Sequence, residues 1–400
     1  MESIYDFASN YEHKKAKALF GRYITNDTIL PVLKTLPKAF AFDVLGHSEE
    51  NRPIYAVKIG AGTTKILIWS QMHGNESTCT KALFDVFNAL KTPPFGVILK
   101  ECSLCIIPIL NPDGAKAYTR QNANHIDLNR DAVEVSQVES KILRTAFETF
   151  KPNYAFNMHD QRTLFNVGKS NAPATVSFLS PAQDKALTLT PNRLRAMSVI
   201  HQMNSLLQKF IPGQVGRFDD AFNINCVGDY FQAQGTSTIL FEAGHFQNDY
   251  NRENARKFVA LATLQALLCI STNSVPKSDP KSDPKSDPES DHKNYFQIPE
   301  NNTLFFDILI KNVLIDPHKP TSVNDIGVSY EEILKGKEIF FLPKIKSIGD
   351  LSSHFGHKTF DAKHQAIVCD NSTFLKKGGQ LCTIFIENSK FSLLVNNNLL

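Results

Sequence analysis

The stretch KILIWSQMHGNE (65–76) decides how this chain is read. Its first half, Lys65–Ser70, is a short apolar run of the kind that forms a buried strand. Its second half is polar and sets His73 and Glu76 three residues apart. From Ser77 to Leu90 the pattern turns helical, with Ala82, Leu83, Val86, Phe87 and Leu90 in one apolar stripe. The pair therefore falls where a strand opens into a helix, and in α/β sheets the carboxyl ends of strands carry the functional site. Taken alone, HxxE is a common polar turn. A second histidine, His159 in NMHD (157–160), stands at the end of another strand-like run. Two histidines and one carboxylate are a common ligand set for a catalytic zinc and leave a fourth position for water. A metal held this way acidifies that water and polarises a carbonyl, so the pattern points to hydrolysis.

The surrounding sequence alternates strand and helix signals. Leu104–Leu110 reads as a second buried strand, ended by the turn Asn111-Pro112-Asp113-Gly114. Val135–Phe150 reads as a helix stopped before Pro152, and Asn153–Met158 as a third strand. Ala174–Leu179 and Ser237–Phe241 are two more strands; Pro191–Phe210 and Arg252–Ile270 are two long helices. Residues 40–44 and 54–57 bracket a polar turn and form a preceding hairpin. This alternation predicts an α/β domain over residues 1–274, a β-sheet flanked by helices. Then KSDPKSDPKSDPESDHK (277–293) breaks the pattern. Proline at every fourth position opposes helix and sheet, and nothing apolar is there to bury. Residues 275–294 are expected to be an extended linker. Residues 295–400 carry short β-type runs and are expected to form a small β-rich accessory domain. His354 and His357 sit there without an evident third ligand.

Bulk properties narrow the function. The formal net charge of +3 gives no support to a nucleic-acid or membrane-surface role. The apolar runs are too short to span a membrane. The polar start, MESIYDFASNYEHKKAK, lacks a secretory signal, which leads us to expect a cytoplasmic protein. Seven cysteines, an odd count, fit a reducing compartment. Cys102 and Cys105 have CxxC spacing, but they lie in the apolar run CSLCIIPIL, where buried thiols act as small hydrophobes.

Taken together, HGNE (73–76), NPDG (111–114), Arg120, DLNR (127–130), NMHD (157–160) and ILFEAGH (239–245) resemble the marks of the zinc metallocarboxypeptidases (the carboxypeptidase A-like peptidases), in the family's order. The resemblance covers roughly residues 50–270. It implies a mixed β-sheet between helices and one zinc per chain, held by His73, Glu76 and His159. It implies that Asp127 orients a ligand histidine. Arg120 would stabilise the oxyanion, and Asn129 and Arg130 would hold a terminal carboxylate. Glu242 would act as general base toward a zinc-bound water. The implied partner is a peptide or amino-acid amide with a free carboxylate; the oligomeric state stays open.

The chain departs from the family in one place. Where a mobile tyrosine is expected, about twenty residues before Glu242, the sequence reads Arg217-Phe218-Asp219-Asp220-Ala221-Phe222-Asn223, and Tyr230 is too close to Glu242. Asp160-Gln161-Arg162, after the third ligand, is unusually polar and reads either as part of a pocket or as a solvated loop. Two rival readings remain at this point. One is an N-acyl-amino-acid deacylase of the succinylglutamate desuccinylase and aspartoacylase group, which shares the HGNE-type site. The other is a binding protein that keeps the fold without catalysis.

Overall fold

The computed structural model describes residues 2–272, 288–316, 318–319, 321–369, 375–381, 383–386 and 389–395. The chain forms two units, Met1–Arg162 with Ala174–Asn301, and Thr163–Pro173 with Asn302–Leu400.

The first unit is built on an eight-stranded mixed sheet. Its strands are β1 (Ala41–His47), β2 (Pro53–Ile59), β3 (Thr64–Ser70), β4 (Cys102–Ile107), β5 (Tyr154–Asp160), β6 (Val176–Leu179), β7 (Val215–Arg217) and β8 (Ser237–Ala243). Their order is β1-β2-β4-β3-β5-β8-β6-β7. The neighbours β4, β3, β5 and β8 run parallel, and antiparallel strands flank them. Every residue of β5 is buried, as expected for a central strand covered on both faces. The principal helices are α1 (Glu2–Ser9), α2 (Asn26–Leu33), α3 (Thr78–Leu90), α4 (Pro112–Ala117), α5 (Val138–Phe150), α6 (Pro191–Leu207), α7 (Val227–Ala233), α8 (Glu253–Ser271) and α9 (Pro288–Phe296). One sheet face packs on a large core that includes Ile66, Ile68, Phe156 and Phe241 with Leu83, Phe87 and Val259. The other, holding Leu67, Trp69, Cys105 and Ile107, packs on Leu143, Phe147 and Phe231. No helix among the described residues is long and apolar enough to cross a membrane.

The sheet flanked by helices is the fold expected from the alternating pattern, its mixed strand directions are those the resemblance implied, and the strands foreseen over residues 64–110 and 153–243 are present. Two local readings differ, and the one for Cys102 and Cys105 as buried small hydrophobes holds. The NPDG segment does more than end a strand. Pro112 opens α4, and the Asn111 side chain caps it by accepting a hydrogen bond from the Gly114 amide at 2.8 Å. Cys102 and Cys105 lie three apart on β4, so their side chains point to opposite sheet faces and cannot converge on a metal. Burial pushes their thiols up to about 12 and about 11. The second difference concerns the expected linker. Its residues 275–287 lie outside the described residues, but α9 stands where its last residues were expected to be extended. Tyr295 of α9 is fully buried, and its hydroxyl accepts a hydrogen bond from the Ser180 amide at 3.1 Å. That anchoring overrides the polar composition. The end of the first unit therefore lies at Asn301, not at 274.

The second unit is β-rich. Strands β9 (Phe305–Leu314), β10 (Val323–Lys335), β11 (Glu338–Gly349) and β12 (Phe355–Asp361) form a sheet in the order β11-β10-β9-β12. Ile308, Ile310, Val328 and Ile345 form its core. The His354 ring stacks on Phe306 at 5.5 Å, and His357 is buried against Phe305. Among the described residues, the only His, Cys, Asp or Glu group arranged to hold a metal lies in the first unit.

Candidate active site

His73, Glu76, His159 and Glu242 gather at the carboxyl ends of β3, β5 and β8. The turn after β3 is fixed by hydrogen bonds to its own backbone. The Gln71 side chain donates to the Gly74 carbonyl at 2.8 Å, and the Glu76 amide to the His73 carbonyl at 3.1 Å. The NPDG segment supports it from outside, because the Asn111 side chain donates to the Met72 carbonyl at 3.1 Å. Gly74 has to be glycine here. A Cβ at this position would fall 1.9 Å from the Gly114 carbonyl carbon. Two motifs that read as independent turns are thus two halves of one packed support.

His73, Glu76 and His159 are each about 2% exposed. Their ligand atoms all lie within 4.8 Å of one another. Glu76 Oε1 is 2.9 Å from His73 Nδ1, and Glu76 Oε2 is 2.9 Å from His159 Nδ1. The two Nδ1 atoms are 3.1 Å apart. On its far side, His73 Nε2 lies 2.9 Å from Asp127 Oδ1. A carboxylate at Nε2 requires the proton there, which leaves an Nδ1 lone pair aimed at Glu76 and at the other imidazole. Lone pairs and a carboxylate converging in a buried space call for a cation among them. Two imidazoles and a carboxylate suit zinc, with Asp127 fixing the tautomer as carboxylates behind ligand histidines do.

The electrostatics of the group favour positive charge within it. Burial disfavours a charged His73 ring, but Glu76 and Asp127 outweigh it and hold its pKa above the ordinary value. His159 is pushed down, by burial first. Burial opposes the Glu76 charge, yet the two histidines hold its carboxyl well below the usual range. Glu242 behaves oppositely. Some of its surface stays open, but its carboxyl is enclosed by protein. Burial, with Glu76 and Asp160 nearby, pushes it well above the usual range. Among the described residues no side chain hydrogen-bonds the Glu242 carboxyl. Adjacent carboxylates with opposite shifts mark a division between charge holding and proton handling.

The arginines divide between two places. Arg120 reaches the ligand group: its Nη1 donates to Glu76 Oε1 at 3.2 Å and its Nε to Asp127 Oδ2 at 3.1 Å. Asn129 and Arg130 do not touch the ligands. Asn129 is tied in through its amide, which donates to Asp127 Oδ1 at 2.9 Å, and its side chain accepts from the Val227 amide. Arg130 is exposed, with its guanidinium 3.1 Å from Cys226 Sγ.

Several supporting residues carried no motif signal. Buried Arg252 donates to the Ala243 carbonyl at 2.8 Å and to the Gln161 carbonyl, so it clamps the ends of β8 and β5 that bear Glu242 and His159. Asp160 and Gln161 are buried, so they are not a solvated loop. Asp160 accepts from the Thr78 amide at 2.9 Å and caps α3; Gln161 donates to Ser177 at 2.8 Å. Arg162 donates to the Asn75 carbonyl. His245 lies 2.8 Å from an Arg252 nitrogen, a loop contact. In the window without a tyrosine, Asp220 pairs with buried Arg193. The Tyr230 ring lies under the Arg144 guanidinium at 4.0 Å, packed toward α5.

The central sheet with a His–Glu–His group at its strand ends defines the class, a mixed α/β protein with a candidate metal centre. The resemblance drawn from the motifs holds, since residues 29–194 match the zinc carboxypeptidase family (Peptidase_M14). Carboxypeptidase 2 of Trichophyton equinum is 26% identical over 188 residues, 45% of this chain and 33% of that protein. Carboxypeptidase SOL1 of Arabidopsis thaliana is 29% identical over 124 residues, 27% of this chain and 25% of that one. The alignments thus span about a third or less of these curated relatives. The metallo-carboxypeptidase of Burkholderia cenocepacia shares the fold, with a TM-score of 0.51 at 16% identity over 62% of this chain and 68% of that one.

Proposed function

We propose that this protein is a zinc-dependent, cytoplasmic carboxypeptidase that cleaves the amide bond next to a free carboxylate. The observation that carries the reading is the pairing of a buried His73–Glu76–His159 group with a Glu242 carboxyl of raised pKa one strand away. Zinc bound by the three ligands, one per chain, would supply Lewis acidity for the scissile carbonyl and an acidified water. Glu242 takes a proton from the attacking water and returns it to the leaving amine. Its high proton affinity suits both halves of that transfer. Arg120 turns its guanidinium toward the negative charge that develops on the carbonyl oxygen. Exposed Arg130, with Asn129 beside it, holds the substrate carboxylate through its planar fork. Nothing among the described residues favours the deacylase reading over this one.

The test is a panel of free-acid peptides and their C-terminally amidated twins, given to the purified full chain with and without a chelator. Release of the last residue from free-acid peptides alone, lost with chelator and regained with zinc, is the expected result. Chelator-insensitive release, or equal release from the amidated twins, would overturn the proposal.

A further inference from the structure

The face of the sheet beneath α5 holds a second concave site, at the end opposite the metal ligands. His73 follows the carboxyl end of β3, whereas this site opens at Lys65, near the amino end of the same strand. Its volume is about 460 Å³, within the range of small-molecule sites. Leu45, Cys105, Ile142, Ala146 and Phe150 make its apolar walls. The shape follows from how α5 is pinned. Ile142 packs on Gly46, where even a Cβ would come within 2.7 Å of it, and Phe147 stacks on Phe231 at 3.8 Å. Between these anchors α5 presents small Ala146 to the sheet, and a trough remains.

The rim is charged in one sense. Lys58, Lys65 and Lys141 line the trough, all three exposed, and no carboxylate does. Lys65 Nζ lies over the Phe150 ring at 5.7 Å. Lys58 has the exposed Asp43 at 3.3 Å, and Lys141 has no carboxylate partner among the described residues. Lysine stems extend the apolar wall, and their ammonium groups stand at the water boundary. The matching ligand has an apolar body and one anionic head.

We infer that this trough binds a free medium-chain alkyl carboxylate, its tail between α5 and the sheet and its head among Lys58, Lys65 and Lys141. The site is independent of the peptidase reading and should survive chelation.

Calorimetric titration of the full chain with octanoate, decanoate, dodecanoate and decanol tests it. One saturable site is expected, tightening about fourfold per added methylene, with decanol clearly weaker than decanoate. Thr145→Trp, at an exposed α5 position on the trough, should block binding. Lys141→Glu, also exposed, should weaken decanoate on the order of tenfold. Neither substitution disturbs a buried contact, and circular dichroism confirms folding. Absence of a saturable site overturns the inference, as does equal affinity for decanol or unchanged binding in both variants. Capture by phosphatidylglycerol vesicles without binding of free decanoate also overturns it, in favour of a membrane headgroup.

Discussion

Glu242 stands directly opposite His159 in the parallel β5–β8 ladder, so a member of the candidate metal group and the proposed general base are held at one level of the sheet. The register of two strands, not a loop, sets their relation. Sites built on strands are more rigid than sites on loops, and Arg252 clamps both strand ends from behind.

Glu242→Gln keeps the size of the side chain but cannot take a proton. Turnover of a free-acid peptide is expected to fall by about 10²–10⁴. Zinc content and thermal stability should hardly change. Near wild-type turnover rules out the proton role, and loss of zinc or of the fold marks the residue as structural.

His159→Ala leaves two protein ligands and is expected to strip the metal from the purified protein. Asp127→Asn keeps all three ligands and should weaken zinc affinity by roughly 10–100-fold. Competition with a chromogenic chelator ranks the three proteins. Full occupancy in His159→Ala would remove it from the ligand set.

Asn111→Ala removes the cap of α4 and the hydrogen bond to the Met72 carbonyl together. A stability loss of about 1–2 kcal/mol is expected in denaturant unfolding. A stability equal to wild type would mean that the NPDG segment does not support the ligand turn.

Asp229 supplies a pH signature away from the metal group. Burial raises its carboxyl to about 6 from an ordinary value of 3.8. The folded state then binds more protons than the unfolded state between those values, so this group's contribution falls as pH rises through that window. Asp229→Asn cannot titrate. The gap in unfolding temperature between variant and wild type should widen in the variant's favour from pH 4 to pH 6 and stay constant above. A gap that does not change over that range contradicts the shift.

Tyr295→Ala tests whether α9 belongs to the first unit. Emptying a fully buried aromatic position should cost about 3–5 kcal/mol. If the first unit's unfolding midpoint does not move, α9 is no part of its core.

The sequence by itself determined the α/β alternation, the central strands and the three residues, His73, Glu76 and His159, that the fold gathers into a candidate metal site. Those signals are local: apolar periodicity over one element, and side chains with few chemical uses at a strand end. Tertiary structure alone decided what holds them. Asn111 meets Met72, Arg252 meets Ala243 and Gln161, and Tyr295 meets Ser180 only after β3, β4, β5 and β8 have taken their order in the sheet. The same holds for the lysine-rimmed trough, whose walls come from four strands and a helix far apart in the chain. A polar or charged residue looks the same in sequence whether it ends exposed, like Arg130, or buried as a clamp, like Arg252. Long-range packing makes that choice, because burying a charge is tolerated only where distant carbonyls and carboxylates arrive to pair with it.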